Sequence, residues 1–132
     1  MSDVIQKQRE LYKNHLEFLG YQVEYDSDDG QQITALHNGT RTFMRIFNNG
    51  LRASRMYSTS PRAASNRLAL LEFINSSNGE GIAKFFVGND WLVIELWYLC
   101  AYEKVSFGGF INTIEDESEK FISSALKTEF FK

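Results

Sequence analysis

Few side chains in this sequence combine the residue type and the spacing that chemistry requires. His15 and His37 fall in different predicted elements, and Cys100 is the single cysteine. A zinc or iron site needs several Cys and His ligands at short spacing, so we predict no metal and no other cofactor. His15 borders an apolar helix stripe, which favours a core or boundary histidine over a ligand. Cys100 ends an apolar strand, which favours a small apolar residue over a nucleophile.

The carboxylates and glycines also lack the patterns of catalysis. Glu95 is the lone carboxylate of the predicted interior strands, so no general acid–base pair can be named. Residues 26–30, "DSDDG", resemble the start of a calcium loop, but the distal glutamate is missing and a hairpin turn explains them better. The glycine pairs at 79/81 and 108/109 do not follow a strand as phosphate-binding loops do. We therefore predict that the chain is not an enzyme.

The composition narrows the class of protein. The chain has 132 residues, of which 43% are hydrophobic, and this predicts a single domain spanning 1–132. The formal net charge of −3 argues against nucleic acid as the main partner. The longest apolar stretch is too short to cross a bilayer, and no basic segment followed by an apolar run opens the chain. A single cysteine cannot form a disulfide within the chain, which fits a reducing compartment. We therefore expect a cytoplasmic protein with no membrane partner.

Hydrophobic periodicity predicts helices and strands in a definite order. Residues 2–20 have helical apolar spacing and end at Gly20. Alternation with a period of two then predicts four strands, separated by turns at "DDG", "NGT" and "NNG". A second helix begins after Ser60, and a hairpin and a long helix follow it. The order α-ββββ-α-ββ-α predicts an α+β fold in which an antiparallel sheet has its helices largely on one face.

The helical patterns also predict which residues are buried. The first helix has a stripe of Ile5, Tyr12, Leu16 and Leu19, widened by Val4, Leu11 and Phe18. The second helix has an inner stripe of Ala64, Leu68, Leu71 and either Ile74 or Asn75. Gly108 and Gly109 weaken the first turn of the last helix, so its start could be Phe110.

The strands predict two different sheet faces. In "WLVIELWYLC", Leu92, Ile94, Leu96, Tyr98 and Cys100 share a face without charge, which we assign to the core. The opposite face mixes aromatic residues with single charges, as does one face of "RTFMRIF". A solvated face would instead be rich in Thr, Lys, Glu and Ser. Either the chain itself covers this second face, or its aromatic residues are simply exposed, or it is an interface with a second copy or a partner protein.

Arginines cluster between the third strand and the second helix. The six are Arg41, Arg45, Arg52, Arg55, Arg62 and Arg67. They predict either a local basic patch for an acidic partner or edge-strand charges that discourage aggregation.

The element order and several short segments resemble one known family. "GYQVEYDSDDGQQITALHNG" follows the opening helix, "LLEFINSSN" ends the second helix with Asn75 and Asn78, and "SFGGF" leads into the last helix. Together they resemble the YbjN family, which shares the fold of the type III secretion chaperones, and the resemblance covers almost the whole chain. It implies a non-enzymatic domain, because those chaperones are small, acidic cytoplasmic homodimers that hold an extended segment of a partner.

The residues and the resemblance lead to one functional prediction. We expect a non-enzymatic protein-binding domain, chaperone-like or regulatory, that acts as a homodimer and holds a partner segment. The residues expected to bind are Phe43, Arg45, Phe47 and Trp97. An extended partner could lie on the aromatic face or pair with an open sheet edge. The alternative is a small-molecule-binding or enzymatic domain with a pocket between the last helix and the sheet.

Overall fold

The computed structural model describes residues 3–25, 30–79, 81–88, 90–128 and 130, which form an α+β fold. The elements are α1 (Asp3–Phe18), β1 (Gln22–Tyr25), β2 (Gln32–His37), β3 (Thr40–Phe47), β4 (Gly50–Ser58), α2 (Pro61–Ser65), α3 (Arg67–Asn78), β5 (Lys84–Val87), β6 (Trp91–Tyr98) and α4 (Lys104–Thr128). This order confirms the predicted α-ββββ-α-ββ-α, with the second helix divided into α2 and α3.

The six strands form one antiparallel sheet in the order β1-β2-β3-β4-β6-β5, so β1 and β5 are its edges. The turn between β2 and β3 has Asn38 at φ 51° and Gly39 at φ 79°. A two-residue hairpin turn requires these positive angles, which confirms the prediction from "NGT". Asp28 and Asp29 of the first predicted turn lie outside the described residues.

The second predicted helix is broken at Asn66. The backbone of this residue has φ −131° and ψ 63°, far from helical values, so the helical phase changes between α2 and α3. Leu70 is buried, whereas Leu68 and Leu71 are exposed. The prediction that Leu68 and Leu71 face inward was wrong because it assumed an unbroken helix. The side chain of Ala64, which was predicted to lie on the same stripe, is outside the described part of the chain.

The chain folds into two compact units, Met1–Arg55 with Trp97–Phe110 and Met56–Leu96 with Ile111–Lys132. In the first unit, α1 packs on β1 and β3. Its buried residues are Ile5, Tyr12 and Leu16. Gly20 adopts a left-handed φ of 95°, and the N–H of Tyr21 donates to the carbonyl of Leu16, which ends the helix as predicted.

The buried stripe of α1 is narrower than the sequence indicates. Val4, Leu11, Phe18 and Leu19 were expected to join or widen it, but all four are exposed. A helix packed on a sheet buries roughly a 100° sector of its surface, so residues at the border of an apolar stripe stay accessible.

In the second unit, α3 packs on β5 and contacts α4. Phe121 of α4 stacks on Phe85 with ring centroids 4.6 Å apart. Asn78, at the end of α3, donates from Nδ2 to the carbonyl of Phe85 (2.9 Å) and accepts from the N–H of Phe85 at Oδ1 (2.7 Å). One amide therefore satisfies both backbone groups of an edge-strand residue and blocks strand addition at that point.

The helix α4 begins at Lys104, before its glycine pair and not after it. Glu103 caps this start, because its carboxylate accepts the N–H groups of Ser106 (2.7 Å) and Val105 (3.1 Å). The bond from Ser106 and then that from Val105 hold the pKa of Glu103 below its usual value. The cap offsets the weak helix propensity of the glycines, which is why a start at Phe110 was wrong.

Candidate protein-binding surface

The strands of the first unit have one buried face and one accessible face. On β3, Thr42, Met44 and Ile46 are buried, whereas the residues between them are half-buried or exposed. We call the accessible side the outer face, and its members include Phe43, Arg45, Phe47, Arg52, Ser54 and Trp97. The four residues that the sequence predicted to bind therefore share one face.

Phe47 and Trp97 form the centre of this face. Their rings are stacked, with centroids 5.6 Å apart and an interplanar angle of 23°. Phe47 is nevertheless 38% exposed and Trp97 is 40% exposed. Arg52 lies over the indole with its Cζ 5.8 Å from the ring centroid, which is a cation–π distance. We call these three residues, together with Phe43 and Arg45, the aromatic–arginine patch.

Gly50 positions the two stacked rings. It begins β4 directly opposite Phe47 and has φ 149°. A Cβ atom at this position would overlap the carbonyl oxygen of Tyr98, so only glycine allows this close approach. Because Trp97 precedes Tyr98, the approach brings the indole to Phe47. A cleft of about 380 Å³ opens between this turn and the end of β6.

Two arginines lie next to each other in the aromatic–arginine patch. The strand register places Arg45 directly opposite Arg52. Like charges that face each other across two strands raise the free energy of the folded state, by roughly 0.2–1 kcal/mol. The Nη2 of Arg45 also donates to the Oε1 of Gln31 at 2.8 Å, which holds the guanidinium at the surface of the sheet.

Phe43 lies further along the same face. It is half-buried and sits opposite Ser54 on one side and Thr34 on the other. The structure thus brings Phe47, Trp97 and Arg52 into contact and places Arg45 and Phe43 beside them at the two-residue spacing of β3.

The predicted arginine cluster is divided by the fold. Arg55 is buried and its Nε donates to the Oγ1 of Thr42 at 2.9 Å, so it is not part of a surface patch. Arg62 and Arg67 belong to the second unit. The β3 and β4 strands are interior strands, so the explanation by edge-strand charges is wrong for the arginines they carry. Arg52 belonged to the predicted arginine cluster but not to the four residues expected to bind, and the β3–β4 register is the signal that places it beside them.

A second group of polar side chains lies against α1 in the first unit. The Nδ1 of His15 is 2.9 Å from the hydroxyl oxygen of Tyr102, and its ring packs on Phe107. Burial and then the nearby Lys104 lower the pKa of His15. Tyr12 is fully buried and its hydroxyl has no hydrogen-bond partner within the described ranges, and burial raises its pKa. These are the contacts of a packed core, in line with the core or boundary role predicted for His15.

The last helix borders a pocket in the second unit. The pocket has a volume of about 220 Å³ and is lined by aromatic residues and by Ser76, Glu117, Lys120 and Ser124. One carboxylate oxygen of Glu117 accepts the N–H of Ala83 at 3.0 Å, and the other is buried without a hydrogen-bond partner in the described part of the chain. Glu117 therefore anchors the segment before β5, and its second oxygen is not accessible to a ligand.

The remaining reactive side chains that the structure describes are not grouped into a site. Cys100 is exposed, because β6 ends at Tyr98, so its assignment to the inner face was wrong. Leu92, Ile94, Leu96 and Tyr98 are buried as predicted. Among the described residues, no three His, Cys, Asp or Glu side chains are grouped to hold a metal ion. No described helix is long and apolar enough to span a membrane.

Comparison with known proteins defines the class of fold. No family model matches the sequence, and no curated protein matches it. Among solved structures, the chain is similar to the crystal structure of YbjN from E. coli, a proposed transcription regulator, with a TM-score of 0.72 and 16% identity over 93% of this chain and 94% of that chain. The likeness at this identity is one of fold. The chain has a YbjN-like fold, as its sequence predicted.

Proposed function

We propose that this chain is a non-enzymatic binding protein that holds another polypeptide on its aromatic–arginine patch. The observation that carries the proposal is the stacked pair of Phe47 and Trp97, which stays about two-fifths exposed on a sheet face. Stacked aromatic residues beside arginine are the composition of binding hot spots. A sheet face that only met water would be polar.

The fold supports a binding role in a general way. YbjN from E. coli is described as a proposed transcription regulator. The resemblance of the sequence to the YbjN family further implies the fold of the type III secretion chaperones, which hold extended partner segments. Fold likeness alone does not assign a function, so the proposal depends on the patch. We further propose a cytoplasmic regulatory or chaperone-like role in which the chain acts as a homodimer.

The proposal is tested by removing the aromatic side chains. Trp97→Ala and Phe43→Ala should weaken self-association, measured by light scattering across a range of concentrations, or capture of partners from a cytoplasmic extract. Both variants should keep the helical circular dichroism of the parent. Phe86→Ala is the matched control, because Phe86 is exposed on β5 outside the patch, and it should change neither measurement. Unfolding of both patch variants, or binding equal to that of the parent, would contradict the proposal.

A second candidate function is the binding of a small molecule in the pocket beside α4. The pocket in the second unit favours it, although its volume of about 220 Å³ is below the 300–1,000 Å³ or so of most ligand sites. A thermal-shift screen of small metabolites tests this candidate. A compound that raises the melting temperature of the parent but not that of a Ser124→Leu variant would support it.

A further inference from the structure

We infer that the partner segment is acidic and extended, with a carboxylate flanked at two residues on each side by apolar side chains. This inference rests on the proposed function and concerns the same patch. It is carried by the order of side chains on β3 and by the charges on the outer face.

The order of side chains on β3 fixes the spacing. Phe43, Arg45 and Phe47 project from one face at successive two-residue steps. Two residues of extended chain span about 6.6–6.8 Å, and an extended partner lying along β3 has the same repeat. Apolar, acidic and apolar side chains at alternate positions would therefore meet Phe43, Arg45 and Phe47 in turn.

The charges on the outer face select an acidic partner. The chain as a whole carries a formal charge of −3, yet its outer face in the first unit carries Arg41, Arg45 and Arg52. The described strands also place two acidic residues on the accessible face: Glu24 lies on the edge strand β1, and Glu95 belongs to the part of β6 that is in the second unit. Within the first unit, the three arginines therefore outnumber the one acidic residue, Glu24, among the described strand residues of this face. A carboxylate bound at the directly opposed Arg45 and Arg52 would reduce the repulsion between them.

Arg52 has a geometry suited to this role. Its guanidinium lies over the Trp97 ring, with Cζ 5.8 Å from the ring centroid. A guanidinium has five N–H donors, and a carboxylate needs two of them for a bidentate pair. Two or three arginines on an acidic chain fall short of the long basic track that a nucleic-acid backbone requires, so we favour a protein segment.

The test uses Trp97 as the reporter. In a Trp91→Phe background Trp97 is the sole tryptophan, and its fluorescence is followed during titration with synthetic seven-residue peptides. The acidic probe is Ser-Leu-Ser-Glu-Ser-Leu-Ser with blocked ends, and the matched probes carry Gln or Lys in place of Glu. We expect the acidic peptide to bind about tenfold more tightly than the lysine peptide, with a preference that decreases as salt is added.

Two variants separate charge from apolar contact. The double change Arg45→Gln and Arg52→Gln should abolish the preference for the acidic peptide and leave the binding of the glutamine peptide within about twofold. Phe43→Ala should weaken the binding of the acidic and glutamine peptides alike. Circular dichroism of each variant checks that the fold is retained.

The outcomes distinguish this inference from the proposed function. Equal binding of the three peptides, or preference for the lysine peptide, would overturn the acidic partner while the patch remained a binding surface. Tighter binding of a single-stranded oligothymidylate than of any peptide would overturn both. If no peptide binds but partners still cross-link at the patch, the inferred apolar–acidic–apolar spacing would be overturned and the proposed function would stand.

Discussion

The two faces of the strands carry similar apolar side chains in different environments. On β5, Phe85 is 6% exposed and Phe86, the next residue, is 44% exposed. On β3, Ile46 is fully buried and Phe47 is not. Burial against α1, α3 and α4 explains the inner residues, because a sheet needs one apolar face to fold. Folding gives no comparable reason for the exposed, stacked Phe47 and Trp97, which is why we propose that the aromatic–arginine patch binds another protein.

The two phenylalanines of β5 provide the largest expected effect. Phe85→Ala removes a ring stacked on Phe121 and should lower the free energy of unfolding by about 3–5 kcal/mol. Phe86→Ala removes a ring that is largely accessible and should lower it by about 1 kcal/mol or less. Urea unfolding followed by circular dichroism measures both. Equal losses would show that the outer face is as important to folding as the inner face.

Two asparagines in the last turn of α3 differ in their contacts with the sheet edge: Asn78 is hydrogen-bonded to β5, and Asn75 is exposed. Asn78→Ala leaves the N–H and the carbonyl of Phe85 without their side-chain partner, and should cost about 1–3 kcal/mol in unfolding free energy. Asn75 is exposed on the same helix, so Asn75→Ala should change stability by less than about 0.5 kcal/mol. The edge of β5 is also uncovered in the Asn78 variant, and light scattering should detect increased association.

The histidine on α1 makes the inner face sensitive to pH. Its pKa in the folded chain is lowered from about 6.5, so the unfolded chain binds the proton more readily. The contribution of His15 to stability is complete above pH 6.5 and is lost as the pH falls through that value toward the lower, folded pKa. Urea midpoints at pH 7.5 and 5.5 should therefore differ. The difference between the two urea midpoints should shrink in His15→Gln and persist in His37→Gln. The opposite pattern would contradict the assignment of the pH dependence to His15.

The smallest effect concerns two buried tyrosines. The Tyr12 hydroxyl has no hydrogen-bond partner in the described part of the chain, so Tyr12→Phe should leave stability unchanged or raise it by up to about 1 kcal/mol. The Tyr98 hydroxyl lies 2.7 Å from the Oγ of Ser106, so Tyr98→Phe should lower stability by about 1 kcal/mol. Thermal unfolding of the pair measures the difference. A large loss in the Tyr12 variant would show that its hydroxyl is hydrogen-bonded after all.

Local patterns predicted most of the fold from the sequence. Gly20, Asn38 and Gly39 predicted a helix end and a hairpin because positive φ angles are restricted to few residue types, and each has such an angle in the structure. The break at Asn66 had no local signal, so Leu68 and Leu71 were misplaced. The cap by Glu103 was also missed, because glycine propensity suggested a later start for α4.

The candidate surface was predicted in part. Alternation along β3 and β6 identified Phe43, Arg45, Phe47 and Trp97 as residues of one type of face. It could not show that Phe47 meets Trp97, because this contact depends on strand order and on the close approach at Gly50. Nor could it show that Arg52 lies on the accessible face of β4 while Arg55 is buried on the opposite face. That difference depends on the alternation of side chains along β4 and on its register with β3.

The central claim is that the outer face contacts another polypeptide, and site-directed cross-linking tests it most directly. A photoreactive amino acid replaces Ser54, which lies opposite Phe43 and leaves the aromatic–arginine patch intact, and in a second protein it replaces the exposed Glu72 of α3. Irradiation in cells followed by denaturing electrophoresis reports adducts. We expect a discrete adduct from position 54, lost on Trp97→Ala, and none from position 72. Adducts from position 72 alone, or the same adducts after Trp97→Ala, would contradict the account.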